Sequence, residues 1–150
     1  MAQTSALDLK VRQQVYDTSI RRGYPPSISE IASTLDIPID QANAALGRLA
    51  AGHVLVLQPA SGEVLMANPF SAVPTPFLVE LPSYSCYGNC IWDALGIAAM
   101  LKQDARIKTA CGDCGQALEL RVANGQVEDD PSVIHFAIPA QHWWDDIVFN

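Results

Sequence analysis

Apolar positions recur at helical spacing at the start of the chain, through Leu7, Val11, Val15 and Tyr16, and Gly23-Tyr24-Pro25-Pro26 closes that stretch. Ser27-Ile28-Ser29-Glu30 has the form of a capping box. The Ser27 hydroxyl is placed to accept from the Glu30 N–H, and the Glu30 carboxylate to reach back. The helix it opens carries Ile28, Ile31, Ala32 and Leu35 on one face. A turn at Asp36-Ile37-Pro38 leads to a third helix, with Asp40 expected as its cap and Ala42, Ala45, Leu46 and Leu49 as its apolar face. Gly52 is the expected left-handed C-terminal cap. Two short apolar runs, Val54 to Leu57 and Val64 to Met66, flank Ala60-Ser61-Gly62 as a hairpin. Three helices followed by a hairpin is the order of a winged helix.

A proline-rich joint, Asn68-Pro69 through Pro74-Thr75-Pro76, separates this lobe from the rest. The apolar pattern then changes. Phe77 to Leu81 predicts a strand, 82–89 a loop, and Cys90 to Leu101 a short apolar helix. Arg106 to Ala110 and Ala117 to Val122 alternate as strands around a Cys111-Gly112-Asp113-Cys114-Gly115 turn. Asn124-Gly125 is a hairpin signal, Val133 to Ile138 another strand, and 142–149 ends as an apolar strand-like run. The fold class is therefore α+β. A winged-helix-like three-helix lobe with a β-wing (1–75) precedes a small antiparallel sheet lobe with one helix (76–150).

Composition narrows the function classes. Of 150 residues 49% are hydrophobic and 17% charged, which describes a folded chain and not a disordered one. A formal charge of -7 disfavours a general affinity for nucleic acid or an anionic membrane. The third helix bears one basic residue, Arg48, too few for reading phosphates and base edges, so a packing module is expected in place of a transcription factor. No apolar run approaches the ~20 residues that cross a bilayer. The first residues lack the pattern of a secretory signal, and a cytoplasmic protein with reduced thiols is expected.

The chemistry lies in four cysteines, Cys86-x3-Cys90 and Cys111-x2-Cys114. Together they fit a four-thiolate zinc site, the second pair resembling a zinc knuckle. A redox C-x-x-C is a further option, although such motifs open helices and this one sits at a hairpin tip. Cys90 also stands three residues before Asp93, on one face of a helix's first turn. A helix N-terminus is expected to lower the Cys90 pKa, and Asp93 is placed to pass a proton to whatever the thiolate holds. First-turn acids are also common for helix stability alone. His53 is expected as a surface or cap residue and His135 as a satisfied sheet histidine. Trp143 and Trp144 read as core or interface anchors, or as the wall of an apolar pocket near Cys90.

The block Asn89-Cys90-Ile91-Trp92-Asp93-Ala94-Leu95, its interval to Ala110-Cys111-Gly112-Asp113-Cys114-Gly115, and the helical lobe before them resemble the organomercurial (alkylmercury) lyases. The resemblance implies that Cys90 binds mercury, that Asp93 donates the proton that cleaves the carbon–mercury bond, and that Cys111 is a structural thiol. Mercury is then substrate and product ion, no cofactor is required, and the partner is a small organometallic molecule. The family carries a second catalytic cysteine near its last strands, and the corresponding stretch here, around 143–150, has none. Cys86, Cys111 or Cys114 is then the candidate second thiolate, with Asp145, Asp146 or His142 as weaker ligands and Trp92, Trp143 and Trp144 as pocket walls. The alternative is a non-enzymatic protein holding zinc, mercury or copper(I) on the same scaffold.

Overall fold

The computed structural model describes residues 5–128 and 131–148. It is α+β, with helices packed on two antiparallel sheets. Helix α1 (Ala6–Arg22) opens with a Ser5/Asp8 capping box and ends at Gly23, whose φ of 89° admits the left-handed turn. Helix α2 (Ile28–Leu35) opens with the expected box, Glu30 N–H to Ser27 Oγ at 3.2 Å and Ser27 N–H to Glu30 Oε2 at 2.7 Å. Helix α3 (Ile39–Ala51) departs from expectation at both ends. Pro38 is its N-cap and Asp40 lies inside the first turn, because the fixed proline φ already suits a helix start. At the other end Gly52 keeps an ordinary φ of -89°, and the left-handed step falls on His53. The Gly52 N–H still bonds the Arg48 carbonyl, so the helical turn closes one residue later than the glycine suggests.

Strands β1 (Val56–Leu57), β2 (Val64–Ala67) and β3 (Phe70–Ser71) form the first sheet. Val11, Val15, Ile31, Ala45, Leu46 and Leu55 are fully or almost fully buried between this sheet and the three helices. The joint is thus no free linker, for it contains β3. Phe70 on β3 is fully buried in the second core, with Val79, Ile97 and Ile107.

The second sheet runs β5-β4-β6-β7-β8, all antiparallel. Its strands are β4 (Leu78–Glu80), β5 (Ser85–Tyr87), β6 (Ala105–Ala110), β7 (Ala117–Ala123) and β8 (Gln126–Val127). Strand β5 occupies the stretch read as a loop, its three residues pairing with β4. Asn124 and Gly125, at φ of 53° and 75°, make the expected tight turn into β8. Helix α4 (Ile91–Leu101) lies against β3, β4 and β6.

Residues 133–138 form no strand. Their alternating side chains stay exposed, apart from a turn of Phe136 onto Trp92 and Trp143. The strand-like reading of the tail also gives way, to a 3₁₀ turn over Ala140–Asp145; Phe149 lies outside the described residues. His135 accordingly sits exposed in irregular chain and not in a sheet. Among the described residues no helix is long and apolar enough to cross a membrane.

Candidate active site

The first turn of α4 carries a thiol and an acid at the spacing of a capping box, without the cap hydrogen bond that closes one. Cys90 is the N-cap, with extended backbone at φ -143° and ψ -178°, and Asp93 is the third helical residue. The Asp93 carboxylate faces the backbone and side-chain donors of Asn89 and Cys90, which favour its charged form. The sulfur lies over the first-turn N–H groups of Trp92 and Asp93 without closing a cap hydrogen bond. Local backbone geometry therefore brings thiol and carboxyl together.

The turn is held from behind. The Gly88 carbonyl accepts from the Thr75 hydroxyl at 2.6 Å, and the Gly88 N–H donates to the Phe77 carbonyl at 3.0 Å. Only hydrogen fits on Gly88, since a Cβ there would stand 2.7 Å from the Ala94 nitrogen and 2.9 Å from its Cα. The Asn89 amide donates to Asn68 Oδ1 at 2.9 Å, tying the turn to the loop between β2 and β3.

Cys90 and Asp93 line a cavity of about 300 Å³ whose other walls are Met66, Asn68, Phe77, Asn89, Trp92, Phe136, Trp143, Ile147 and Val148. Phe136 meets Trp92 edge-on at 6.4 Å and Trp143 at 5.2 Å. This apolar surround fixes the electrostatics. Burial holds the Asp93 carboxyl above its usual range, against the hydrogen bonds it accepts. The Cys90 thiol is pushed up as well, first by burial and then by the Asp93 charge, which outweigh the first-turn N–H groups. The expected lowering at a helix N-terminus is overturned, and Cys90 rests as a thiol.

The remaining expected site residues are scattered. Cys86, on β5, is buried against Gly23 at the end of α1, and burial lifts its thiol to about 11. Cys111 and Cys114 sit at the β6–β7 hairpin tip, outside the cavity lining and outside both cores. The four cysteines do not converge, and among the described residues no three His, Cys, Asp or Glu side chains gather to hold a metal. Of the expected walls, Trp92 and Trp143 line the cavity. Trp144 instead stacks on His53 at 4.1 Å, and Asp145 pairs with His142 at 3.0 Å; neither these two nor Asp146 lines the cavity. Phe136 and Asn89 were not singled out by sequence. Asn89 had a signal in its place beside Cys90, whereas Phe136 reaches the cavity only through the irregular path of its segment.

Comparison with known proteins bears on this arrangement. No curated protein sequence matches the chain. Among solved structures, the mercury-bound form of MerB2 superposes with a TM-score of 0.63 at 21% identity, over 82% of this chain and 58% of that one. This chain thus spans less than two thirds of that protein's length, and the likeness is one of fold. A family model described as alkylmercury lyase matches residues 70–149, more than half of the 150 and inclusive of Cys90 and Asp93. The chain belongs to the alkylmercury lyase family.

Proposed function

We propose that the protein cleaves carbon–mercury bonds by protonolysis, with Cys90 taking the metal and Asp93 protonating the carbon. One observation carries this reading: thiol and carboxyl stand on one helical turn and line the same apolar cavity. A thiol adduct R–Hg–SR′ supplies the second sulfur, since Cys90 is the one cysteine among the lining residues. As Cys90 sulfur bonds mercury, its proton passes to Asp93, whose raised pKa favours holding it. Mercury then carries R, SR′ and Cys90 sulfur, and the two soft donors load electron density onto carbon. Asp93 gives its proton to that carbon as the Hg–C electron pair becomes the C–H bond. R–H leaves, Asp93 returns to carboxylate, and Cys90–S–Hg–SR′ remains. A second small thiol R′SH exchanges the metal off as Hg(SR′)₂ and restores the Cys90 thiol.

Single-turnover incubation of the reduced protein with phenylmercury and excess thiol, following released benzene, tests this. Release that vanishes in Cys90→Ser and in Asp93→Asn supports it. Metal retained without any release favours the second reading, a non-enzymatic metal binder, for which the single cavity thiol speaks.

Residues 1–75 are read as a winged-helix-like domain used for packing and 76–150 as the lyase-like domain. Two separate cores support a two-part division, although the first ends at Ala67 and the second already includes Phe70, a few residues before the 75/76 boundary. Arg48, moreover, is tied to Asp8 by three bonds of 2.7 to 3.2 Å and does not present a free cation.

A further inference from the structure

The Cys111–Cys114 turn has its own geometry. The Gly115 N–H bonds the Cys111 carbonyl at 2.9 Å, the Cys111 N–H bonds the Gln116 carbonyl at 2.8 Å, and Gly115 takes a φ of 73°. This closure folds the two side chains toward each other. The Cys111 thiol lies beside the backbone N–H groups of Cys114 and Asp113 and beside the Cys114 side chain. Six residue pairs of β6 and β7 support the turn from below, and Lys108 and Glu80 brace β6 against β4 at 2.7 Å. The tip itself is open, for a Cβ on Gly112 or Gly115 would meet nothing within 4 Å. Cys111 thus lies outside both cores. With no third ligand gathered there among the described residues, the pair does not match zinc, which takes four. It matches soft cations satisfied by two thiolates.

We propose that Cys111 and Cys114 form a two-thiolate site for a soft d¹⁰ cation such as Hg(II), separate from the Cys90 cavity. Binding is ligand exchange without electron transfer. Each thiol gives up its proton as its sulfur bonds the metal, so Hg²⁺ and two S–H groups yield S–Hg–S and two protons. The second sulfur binds intramolecularly, which sets the pair apart from any single thiol on the chain. The site does not depend on carbon–mercury cleavage, and the two readings fail separately.

The test uses the reduced full-length Cys90→Ser protein, titrated with mercuric chloride against a competing monothiol. The readouts are metal retained after desalting and the ultraviolet thiolate-to-mercury absorption. Retention of the ion is expected, weakened on the order of 100-fold when Cys111→Ser or Cys114→Ser is added. The exposed tip makes both additions safe for folding. Retention unchanged by both additions would place the metal on Cys86 and overturn the proposal. So would a Cys90→Ser protein that retains nothing.

Discussion

The chain sets a small N-cap side chain three residues before an acid at three helix starts, closing a capping box at two of them and leaving the third open, and the chemistry differs because of what surrounds each. Ser5/Asp8 opens α1, Ser27/Glu30 opens α2, and Cys90/Asp93 opens α4. In the second box Arg22 meets Glu30 at 2.7 Å and, chiefly through that bond, draws the carboxyl down to about 2. In the first box Arg48 does the same for Asp8, also to about 2. At the third helix start no arginine pairs with the acid and aromatic and aliphatic walls enclose it, so burial moves the Asp93 carboxyl up. The same spacing is thus a stability element beside an arginine and, on the proposed reading, a proton-transfer pair inside an apolar cavity with sulfur in place of oxygen.

The largest break in this comparison is Asp93→Asn. The amide keeps the shape of the box but has no proton to give, and protonolysis should fall by ~10²–10⁴-fold. Mercury should still bind at Cys90. The Cys90 thiol should titrate lower than in the parent, because the neighbouring negative charge is gone. Single-turnover hydrocarbon release, together with the pH dependence of Cys90 alkylation, reads both. Full release from Asp93→Asn would remove the carboxyl from the chemistry.

Gly88→Ala attacks the support and not the pair. The added methyl meets Ala94 backbone atoms at 2.7 and 2.9 Å, so the start of α4 must shift away from β5. A loss of about 1–3 kcal/mol in denaturant unfolding is expected, by analogy with overpacking, with slower turnover. Gly112→Ala is the control: its Cβ meets open space at the hairpin tip and should change stability by less than about 0.5 kcal/mol. Equal effects at the two positions would mean that close packing behind Cys90 does not hold the box.

Much of this was legible in the chain. Periodicity located α1, α2 and the interior of α3, and cap chemistry the start of α2, since apolar faces and a Ser-x-x-acid start are local signals. Asn124-Gly125 fixed its turn for the same reason. Illegible features depend on distant partners. Strand β5 has three residues and exists by pairing with β4, while residues 133–138 alternate like a strand but turn Phe136 onto two tryptophans. The sign of the Cys90 shift failed because the helix N-terminus is visible in sequence and the cavity walls are not. Cys86 looked adjacent to Cys90 at four residues, yet β5 carries it into the contact with α1.

The arginine-paired boxes give a smaller, pH-dependent effect. Asp8 falls from an ordinary 3.8 to about 2, and a depressed acid stabilises the fold above its unfolded pKa and loses that contribution as pH drops through the folded one. Asp8 is nearly inaccessible, at 3% side-chain exposure, and should be worth on the order of 2 kcal/mol near neutral pH. Glu30, at 47%, is screened and should contribute less than about 1 kcal/mol. Unfolding free energy followed from about pH 5 down to pH 2 should decline, and Asp8→Asn should flatten that decline more than Glu30→Gln. A steeper decline in Asp8→Asn than in the parent would contradict the pairing.

The smallest effect has the opposite sign. Cys90→Ser turns the third box into the kind that opens α1 and α2. The Ser oxygen is a stronger acceptor than sulfur, and the Cys90 sulfur closes no cap hydrogen bond. The variant should therefore gain about 0.5–1 kcal/mol in equilibrium unfolding while losing hydrocarbon release altogether. A gain of this kind is what a position selected for chemistry over capping predicts, since activity keeps a poorer cap in place. A loss of stability would instead mean that the sulfur contributes more through packing in the apolar cavity than it forgoes at the helix end, and the third box would then owe its cysteine to structure.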